Sequence, residues 1–284
     1  MKENKKLLCA ALDWGWGHTI RCIPLLRNYQ QQGYEIILAG SPQQQSIWKE
    51  YFPEVNFTNL SGYNMYYAKN SRYFGWVMFK QIPKTIYCII KEYLWLKKYL
   101  KKHRIDLVIS DNRYGFYHNN HETIFITHQL YVPIPNKWLR KVFNKILHYY
   151  LYKNFSQIDI PDVAHESLCY SGNLSHPIPN ILNDKTKYIG ILSRYEEKNL
   201  SPLEKKYKAI FVLSGPEPQR TLLEINLIKT LATLTNHQFV LVRGLSSISM
   251  PLNLPENWQQ FNQLQKNDLL NYLAQAEWIV CRSG

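Results

Sequence analysis

Cysteine is scarce in this sequence of 284 residues: there are five, spread along the chain, with no Cys-x-x-Cys pair. Scattered cysteines of odd number disfavour a disulfide framework or a zinc site and suit a reducing cytoplasm. No run of about 18 uncharged apolar residues is present, so no membrane-spanning helix is expected. Asp13 interrupts the first apolar stretch, which therefore predicts a strand rather than a signal peptide. The missing Gly-x-x-x-x-Gly-Lys-Ser/Thr loop disfavours a P-loop ATPase.

Acidic residues are few in two segments. Lys and Arg number 34 against 21 Asp and Glu, and the excess lies in residues 66–104, where Glu92 is the only acid, and in 131–155, which has none. Both segments are rich in aromatic residues, and this combination favours an anionic membrane surface. Nucleic acid would also suit it, although charge alone motivates that alternative. For 131–155, a helix with an apolar core face and a solvated lysine face explains the pattern equally well.

The remaining composition is that of a folded α/β protein. Hydrophobic residues make up 45% and charged residues 19%, which excludes wholesale disorder. Short β-branched runs alternate with helical stretches, and this pattern predicts parallel sheets covered on both faces. We expect a first domain at 1–162, a linker and entry segment at 163–206 and a second domain at 207–284. Strands are predicted at 6–12, 34–39, 106–110, 123–127, 157–161, 209–213, 239–242 and 278–281.

A glycine turn follows the first predicted strand and contains Gly15, Gly17 and His18. The third glycine of a dinucleotide fingerprint is missing, because Ile20 stands there. His18 falls at a helix start, where positive charge is disfavoured and a histidine can accept a proton. In open α/β sheets this edge carries the ligand sites. The alternative is that His18 caps the helix or packs under Trp14.

Two further strand ends carry polar side chains. Asp111 and Asn112 follow the strand at 106–110, and His128 with Gln129 follows the strand at 123–127. Since parallel strands end at one edge, His18, Asp111 and His128 are expected on the same rim, where Asp111 could hold a histidine in one tautomer. A loop in which Asp111 merely caps a turn is the alternative.

The second half repeats this arrangement with Ser214 and Gly215 between a strand and a predicted helix at 217–234. Backbone N–H groups at a helix start bind phosphate, and Arg220 and Arg243 could add positive charge. The helix is expected to bury Leu222, Leu223, Ile225, Ile228 and Leu231. No metal site is expected, because His118 and His121 have no further ligand at a recognisable spacing.

Several motifs in their order along the chain resemble those of the GT-B glycosyltransferases. They are the Gly-x-Gly-His turn at 15–18, SDNRYG at 110–115, SGNLSH at 171–176, YIGILSR at 188–194, LSGPEPQRT at 213–221 and RSG at 282–284. The set is similar to a bacterial branch of glycosyltransferase family 28, the family of the lipid-linked UDP-N-acetylglucosamine transferase of peptidoglycan synthesis.

This resemblance implies two Rossmann-like domains and inverting, metal-independent transfer of a hexosyl group, expected to be an N-acetylhexosamine, from a UDP-sugar to a lipid-linked or glycan acceptor. It implies no cofactor, and a cytoplasmic enzyme that lies peripherally on the inner face of the plasma membrane. The implied catalytic residues are His18, Asp111 and His128; the acceptor-side residues are Gly15, Gly17, Asn112, Arg113 and Gln129; the donor-binding residues are Ser214, Gly215, Arg243, Arg282, Ser283 and Gly284.

Two departures from the family pattern affect these expectations. Trp14 and Trp16 stand where the peptidoglycan enzyme has small residues, which predicts a different acceptor. The sequence stops straight after a predicted strand, without the family's ribose-binding glutamate, so we expect an incomplete second domain. The alternative function is therefore a non-catalytic fragment that binds a nucleotide sugar.

Overall fold

The computed structural model describes residues 5–14, 16–66, 74–195, 204–215, 217–245 and 249–281. The chain forms two compact units, one of Met1–Asn64 with Gln81–Arg194 and one of Met65–Lys80 with Tyr195–Gly284. The seven helices are α1 (Trp16–Gln31), α2 (Pro42–Tyr51), α3 (Phe74–Lys80), α4 (Ile82–Leu100), α5 (Lys137–Ile146), α6 (Gln219–Leu231) and α7 (Lys266–Ala274), as far as the described residues go. No described helix is long and apolar enough to cross a bilayer.

The first unit contains a parallel sheet of seven strands. They are β1 (Lys6–Ala11), β2 (Glu35–Gly40), β3 (Asn56–Asn59), β4 (Leu107–Asp111), β5 (Glu122–Ile126), β6 (Gln157–Ile160) and β7 (Thr186–Tyr188). Their order in the sheet is β3, β2, β1, β4, β5, β6, β7. All neighbouring strands are parallel, so every strand ends at the same edge.

Two hydrophobic cores cover the two faces of this sheet. Alternate residues of a strand point to opposite faces, so Leu7 packs with Ile23 of α1 and Trp48 of α2, whereas Leu8 packs with Leu96 of α4. These side chains are essentially free of solvent contact, and each contributes about 1.5–3 kcal/mol by its burial. The cores therefore fix α1 on one face of the sheet and α4 on the other.

The end of the first sheet differs from the prediction. The predicted end of the first domain at residue 162 would make the strand at 157–161 the last of this sheet, but β7 pairs with β6 in parallel register, with Thr186 opposite Ile158. Part of the segment that was predicted as a linker thus belongs to the first sheet. Strand β7 has only three residues, Thr-Lys-Tyr, and so lacks the apolar run by which the longer strands were recognised.

The second unit contains four parallel strands. They are β8 (Tyr207–Val212), β9 (Phe239–Val242), β10 (Trp258–Phe261) and β11 (Ala276–Cys281), and their order is β10, β9, β8, β11. Helix α6 packs on the sheet through Leu223, Ile228 and Leu231. The expected burial of Leu222 and Ile225 is wrong, since both are about half exposed.

Helix α5 exposes its apolar side chains and buries a polar one, which is the reverse of a typical amphipathic helix. Its apolar side chains point to solvent, with Trp138 69% and Ile146 48% exposed, whereas Asn144 and, one turn further on, His148 are buried. The side-chain carbonyl of Asn144 accepts the N–H of Val132 at 2.8 Å, and His148 Nε2 lies 2.7 Å from the carbonyl oxygen of Leu130. The alternative of an apolar core face and a solvated lysine face is therefore wrong for this segment.

Candidate functional site

His18 and Asp111 meet at the carboxyl edge of the first sheet. Helix α1 begins at Trp16, earlier than expected, so His18 lies in its first turn. Asp111 is the last residue of β4, which pairs with β1, the strand that leads into α1. His18 Nδ1 lies 2.8 Å from Asp111 Oδ1, and the His18 side chain retains 14% of its exposure. The ring is thus held against the carboxylate without being enclosed by the core.

Asp111 accepts hydrogen bonds from several groups at once. Besides His18, its oxygens accept Arg21 through Nε at 2.5 Å and through Nη2, and Cys22 Sγ at 3.4 Å. Complete burial acts to raise the pKa of Asp111, but the charge of Arg21, together with His18, outweighs it and holds the pKa well below its usual range. The carboxylate is therefore ionised.

Arg21 is the residue of this cluster that the sequence analysis missed. It lies one turn after His18 on α1, and its Nη1 lies 2.7 Å from His128 Nδ1. Burial, and then the charge of Arg21, lower the pKa of His128 to about 4, so its ring is neutral at neutral pH. The i, i+3 spacing of His18 and Arg21 would have placed both side chains on one helix face.

Arg113, predicted on the acceptor side, is a buried structural residue instead. Its side chain has no solvent exposure, and its Nε forms an ion pair with Glu92 of α4. Nη1 donates to the carbonyl oxygen of Ala11 at 3.2 Å, and Nη2 to that of Ser61 at 2.6 Å. Glu92 also accepts the Tyr63 hydroxyl at 2.9 Å. Since its donors are occupied by protein groups, the assignment of Arg113 to acceptor binding is corrected.

Asn112 and Gln129 lie beside the cluster. Asn112 adopts φ = +54°, which asparagine tolerates better than most residues, and its N–H donates to the carbonyl oxygen of Ile126. Among the described residues its buried side-chain Oδ1 has no hydrogen-bond partner, and such an acceptor costs free energy unless something else satisfies it. Gln129 is fixed through its backbone, by Thr127 Oγ1 at 3.0 Å and the Tyr152 hydroxyl at 2.5 Å.

Ser214 and Gly215 follow the end of β8 in the second unit, and both are exposed. Gly215 adopts φ = +103°, which favours glycine. Gly244, after β9, packs directly against this loop. It has φ = +68°, and a Cβ there would lie 2.2 Å from the carbonyl oxygen of Leu213. The loop therefore presents its backbone to solvent and is packed closely against a second glycine.

The arginines of the second unit are engaged in ion pairs. Arg243 is buried and donates from Nε to Glu224 at 2.5 Å, and from Nη1 to Met250 O and Asn262 Oδ1. Arg220 also pairs with Glu224, at 2.9 Å. The prediction that Arg243 adds positive charge for a donor phosphate is corrected, because its guanidinium is buried and bonds Glu224, Met250 and Asn262 within the second unit.

The other predicted residues are placed as follows. Gly17 lies exposed in the first turn of α1, and apart from the helix's own backbone no described atom lies within 4 Å of a Cβ position there. Gly15, Arg282, Ser283 and Gly284 lie outside the described residues.

One group of described side chains has the composition of a metal site: Asp162, Cys169 and His176. Asp162 accepts the backbone N–H groups of Val163, Tyr170 and Ser171, and the Ser171 hydroxyl, and these bonds lower its pKa to about 2 in spite of burial. Cys169 Sγ and His176 Nδ1 are likewise hydrogen-bonded within the chain. These hydrogen bonds stabilise the loop after β6, and they explain why the three side chains lie together.

Solved glycosyltransferase structures resemble this chain in fold. The glycosyltransferase of kitacinnamycin aligns with a TM-score of 0.65 and 13% identity, over 100% of this chain and 76% of that one. The spinosyn rhamnosyltransferase SpnG aligns at 0.58 and 12%, over 98% and 75%. MurG of Acinetobacter baumannii aligns at 0.51 and 11%, over 99% and 73%. No protein-family model and no curated protein sequence matches the chain.

At such low identity the likeness establishes the fold. The chain has the α/β architecture of the GT-B glycosyltransferases, with two Rossmann-like parallel sheets, and the expected fold class is confirmed.

Proposed function

We propose that the protein is a glycosyltransferase that moves a hexosyl group from a nucleotide sugar to an acceptor hydroxyl. The observation that carries this proposal is the pairing of His18 with the ionised Asp111 at the carboxyl edge of the first sheet. A neutral imidazole that is oriented by a carboxylate is suited to general-base catalysis. The fold adds support, since SpnG was solved with thymidine diphosphate and a Phytolacca americana glycosyltransferase with a fluorinated UDP-glucose.

The chemistry follows from the hydrogen-bond polarity at His18. In neutral His18 the Nδ1–H donates to Asp111, which leaves the lone pair on Nε2 to take the proton of an acceptor hydroxyl. The acceptor oxygen then forms a bond to the anomeric carbon, while the bond from that carbon to the diphosphate breaks and the nucleoside diphosphate leaves. A single displacement of this kind inverts the configuration. Asp111 stabilises the imidazolium that forms.

The leaving diphosphate carries negative charge and needs hydrogen-bond donors that are already in place. We propose the backbone of the Ser214–Gly215 loop for this task. Arg243 and Arg220 act indirectly, because the Arg243–Glu224 ion pair joins the end of β9 to α6, where Arg220 also pairs with Glu224 and donates to the carbonyl oxygen of Arg243. A metal-independent reaction with a UDP-linked N-acetylhexosamine is the finer form of the proposal, and it rests on the family resemblance.

A lipid-linked acceptor is proposed on the basis of helix α5. Its exposed apolar side chains lie on the same short helix as Lys137, Arg140, Lys141 and Lys145. Rings and aliphatic side chains beside basic groups suit an anionic bilayer surface. We place the protein on the inner face of the plasma membrane, where such an acceptor would be presented.

The test is release of the nucleoside diphosphate in the presence of a panel of nucleotide sugars and an extracted lipid fraction. His18→Ala should lower turnover at least about a hundredfold, as expected for loss of a general base, while donor binding measured by calorimetry is retained. The matched control is His237→Ala, because His237 is exposed in the second unit. Unchanged turnover in His18→Ala would refute the base, and donor binding without turnover in the unaltered protein would favour the non-catalytic alternative.

A further inference from the structure

Arg21 contacts two residues of the candidate site: Asp111, which also bonds His18, and His128. Two nitrogens of its guanidinium donate to Asp111, and the third, Nη1, lies 2.7 Å from His128 Nδ1. The Arg21 side chain is 14% exposed and the Asp111 side chain is fully buried. A planar guanidinium that is held at three nitrogens has a single orientation available to it.

The direction of each hydrogen bond fixes the proton on each ring. A guanidinium can only donate, so His128 Nδ1 must be an acceptor and the ring proton of neutral His128 is on Nε2. An ionised carboxylate can only accept, so His18 Nδ1 must donate to Asp111, and in the neutral form of His18 the lone pair is then on Nε2. When both rings are neutral, the two histidines are therefore opposite tautomers.

We propose that Arg21 is a positioning residue that holds His128 in the tautomer opposite to the one in which Asp111 holds neutral His18, so that His18 offers a proton acceptor and His128 offers a hydrogen-bond donor. In the part of the chain that the structure describes, neither Nε2 atom has a hydrogen-bond partner. Both atoms are thus available to a ligand. The ligand group that His128 would bind is an oxygen with a free lone pair, as on a sugar hydroxyl or a phosphate.

The charges around His128 favour the same arrangement. Arg21 and His18 face it from α1, Asp111 from the end of β4, and Asp162 from the segment after β6. Burial and the positive charge of Arg21 outweigh the two carboxylates, so the ring stays neutral. A neutral ring has one donor and one acceptor, and Arg21 occupies the acceptor.

Two catalytic roles follow, and they rest on the proposed function. His18 is the base, whereas His128 steadies an oxygen of the substrate and takes no proton. His128→Gln keeps an amide N–H near the position of Nε2, whereas the shorter His128→Asn places its amide near Nδ1. We therefore expect His128→Gln to retain turnover within about tenfold and His128→Asn to lose more than that.

The tautomers themselves are tested without any turnover. Long-range proton–nitrogen correlation spectra of the full chain with ¹⁵N-labelled histidine distinguish Nδ1–H from Nε2–H rings, and His18→Gln and His128→Gln assign the two signals. We expect His18 as Nδ1–H and His128 as Nε2–H at neutral pH. The reverse tautomer for His128, or a doubly protonated ring, would overturn the proposal and leave His18 free to act as a base.

Variants of Arg21 test whether Arg21 is what fixes the tautomer of His128. In Arg21→Met the pKa of His128 should rise by about one unit or more, and its ring should populate both tautomers, because the charge and the donor are both lost. Arg21→Lys keeps the charge and so should keep the ring neutral at pH 6. An unchanged His128 tautomer in a folded Arg21→Met protein would contradict the proposal. If that variant does not fold, the proposal is tested by the tautomer of His128 in the spectrum of the unaltered protein.

Discussion

Glu92 and Arg113 form an ion pair whose side chains are 2% and 0% exposed. The pair joins α4 to the segment that follows β4, while Arg113 also bonds the carbonyl oxygens of Ala11 and Ser61. Arg113 is two residues beyond Asp111, the last residue of β4, so the ion pair fixes the chain directly after the strand that carries Asp111. The Tyr63 hydroxyl donates to Glu92. Burial, and then the charge of Glu92, raise the pKa of Tyr63 well above its usual value.

Removing one partner of this pair should destabilise the fold strongly. Arg113→Met leaves the carboxylate of Glu92 buried without its counter-charge, and we expect a loss of about 3–5 kcal/mol in the free energy of unfolding. Urea denaturation measures it. The double variant Arg113→Met with Glu92→Leu should recover part of the loss, because it removes the isolated charge. A single variant as stable as the unaltered protein would contradict the structural role given to Arg113.

Stability should fall on mild acidification because of His128. Its pKa is about 4 in the folded protein against 6.5 for the free group, so between these values the unfolded chain binds more protons. The contribution is complete above pH 6.5 and is lost as the pH falls toward 4. It amounts to at most about 3 kcal/mol, at roughly 1.4 kcal/mol per pKa unit. The measurement is the unfolding free energy against pH, with His128→Gln expected to show a shallower decline.

Gly244 should not tolerate a side chain. Gly244→Ala would put a Cβ 2.2 Å from the Leu213 carbonyl oxygen at a φ of +68°, so the loop that carries Ser214 must move. We expect a loss of more than about 1 kcal/mol in stability, together with weaker binding of the nucleoside diphosphate. Thermal unfolding and calorimetry measure the two effects. Gly75→Ala is the control, since no atom lies near its Cβ position, and equal effects in both variants would contradict this reading.

Helix α5 should bind anionic vesicles through its exposed apolar side chains. Trp138→Ser combined with Ile146→Ser should reduce sedimentation with phosphatidylglycerol vesicles at least about tenfold, because each buried side chain is worth about 1.5–3 kcal/mol. Leu168→Ser is the control, as Leu168 is 64% exposed elsewhere in the same unit. Binding should also weaken with salt. Salt-insensitive binding, or none in the unaltered protein, would exclude an anionic surface.

The sequence predicted those parts of the candidate site that follow from the parallel arrangement of the strands. Parallel strands end at one edge, and this rule correctly placed His18, in the first turn of the helix that follows β1, beside Asp111 at the end of the neighbouring β4. Arg21 was missed because its role depends on which way a helix face turns toward the sheet. Arg113 was misjudged for a related reason: it is two residues from Asp111 in sequence, but its side chain points to α4 and the opposite core.

The same limit explains the error at α5. Period and composition specify an apolar helix face, but they do not specify whether that face turns inward. Two polar contacts, from Asn144 and His148, decide the orientation here, and both bond to backbone atoms 12 and 18 residues away. Contacts of this kind depend on the tertiary structure and leave no periodic signal.

Strand β11 lies at the edge of the second sheet, and of its six residues only Ala276 is buried. Trp278 and Ile279 are 64% and 56% exposed, beside backbone groups that have no neighbouring strand on one side in the described chain. Open apolar edges of this kind recruit strands from other molecules. Within the described residues, Trp278 and Ile279 thus make this edge the place where the second sheet would pair with one further strand.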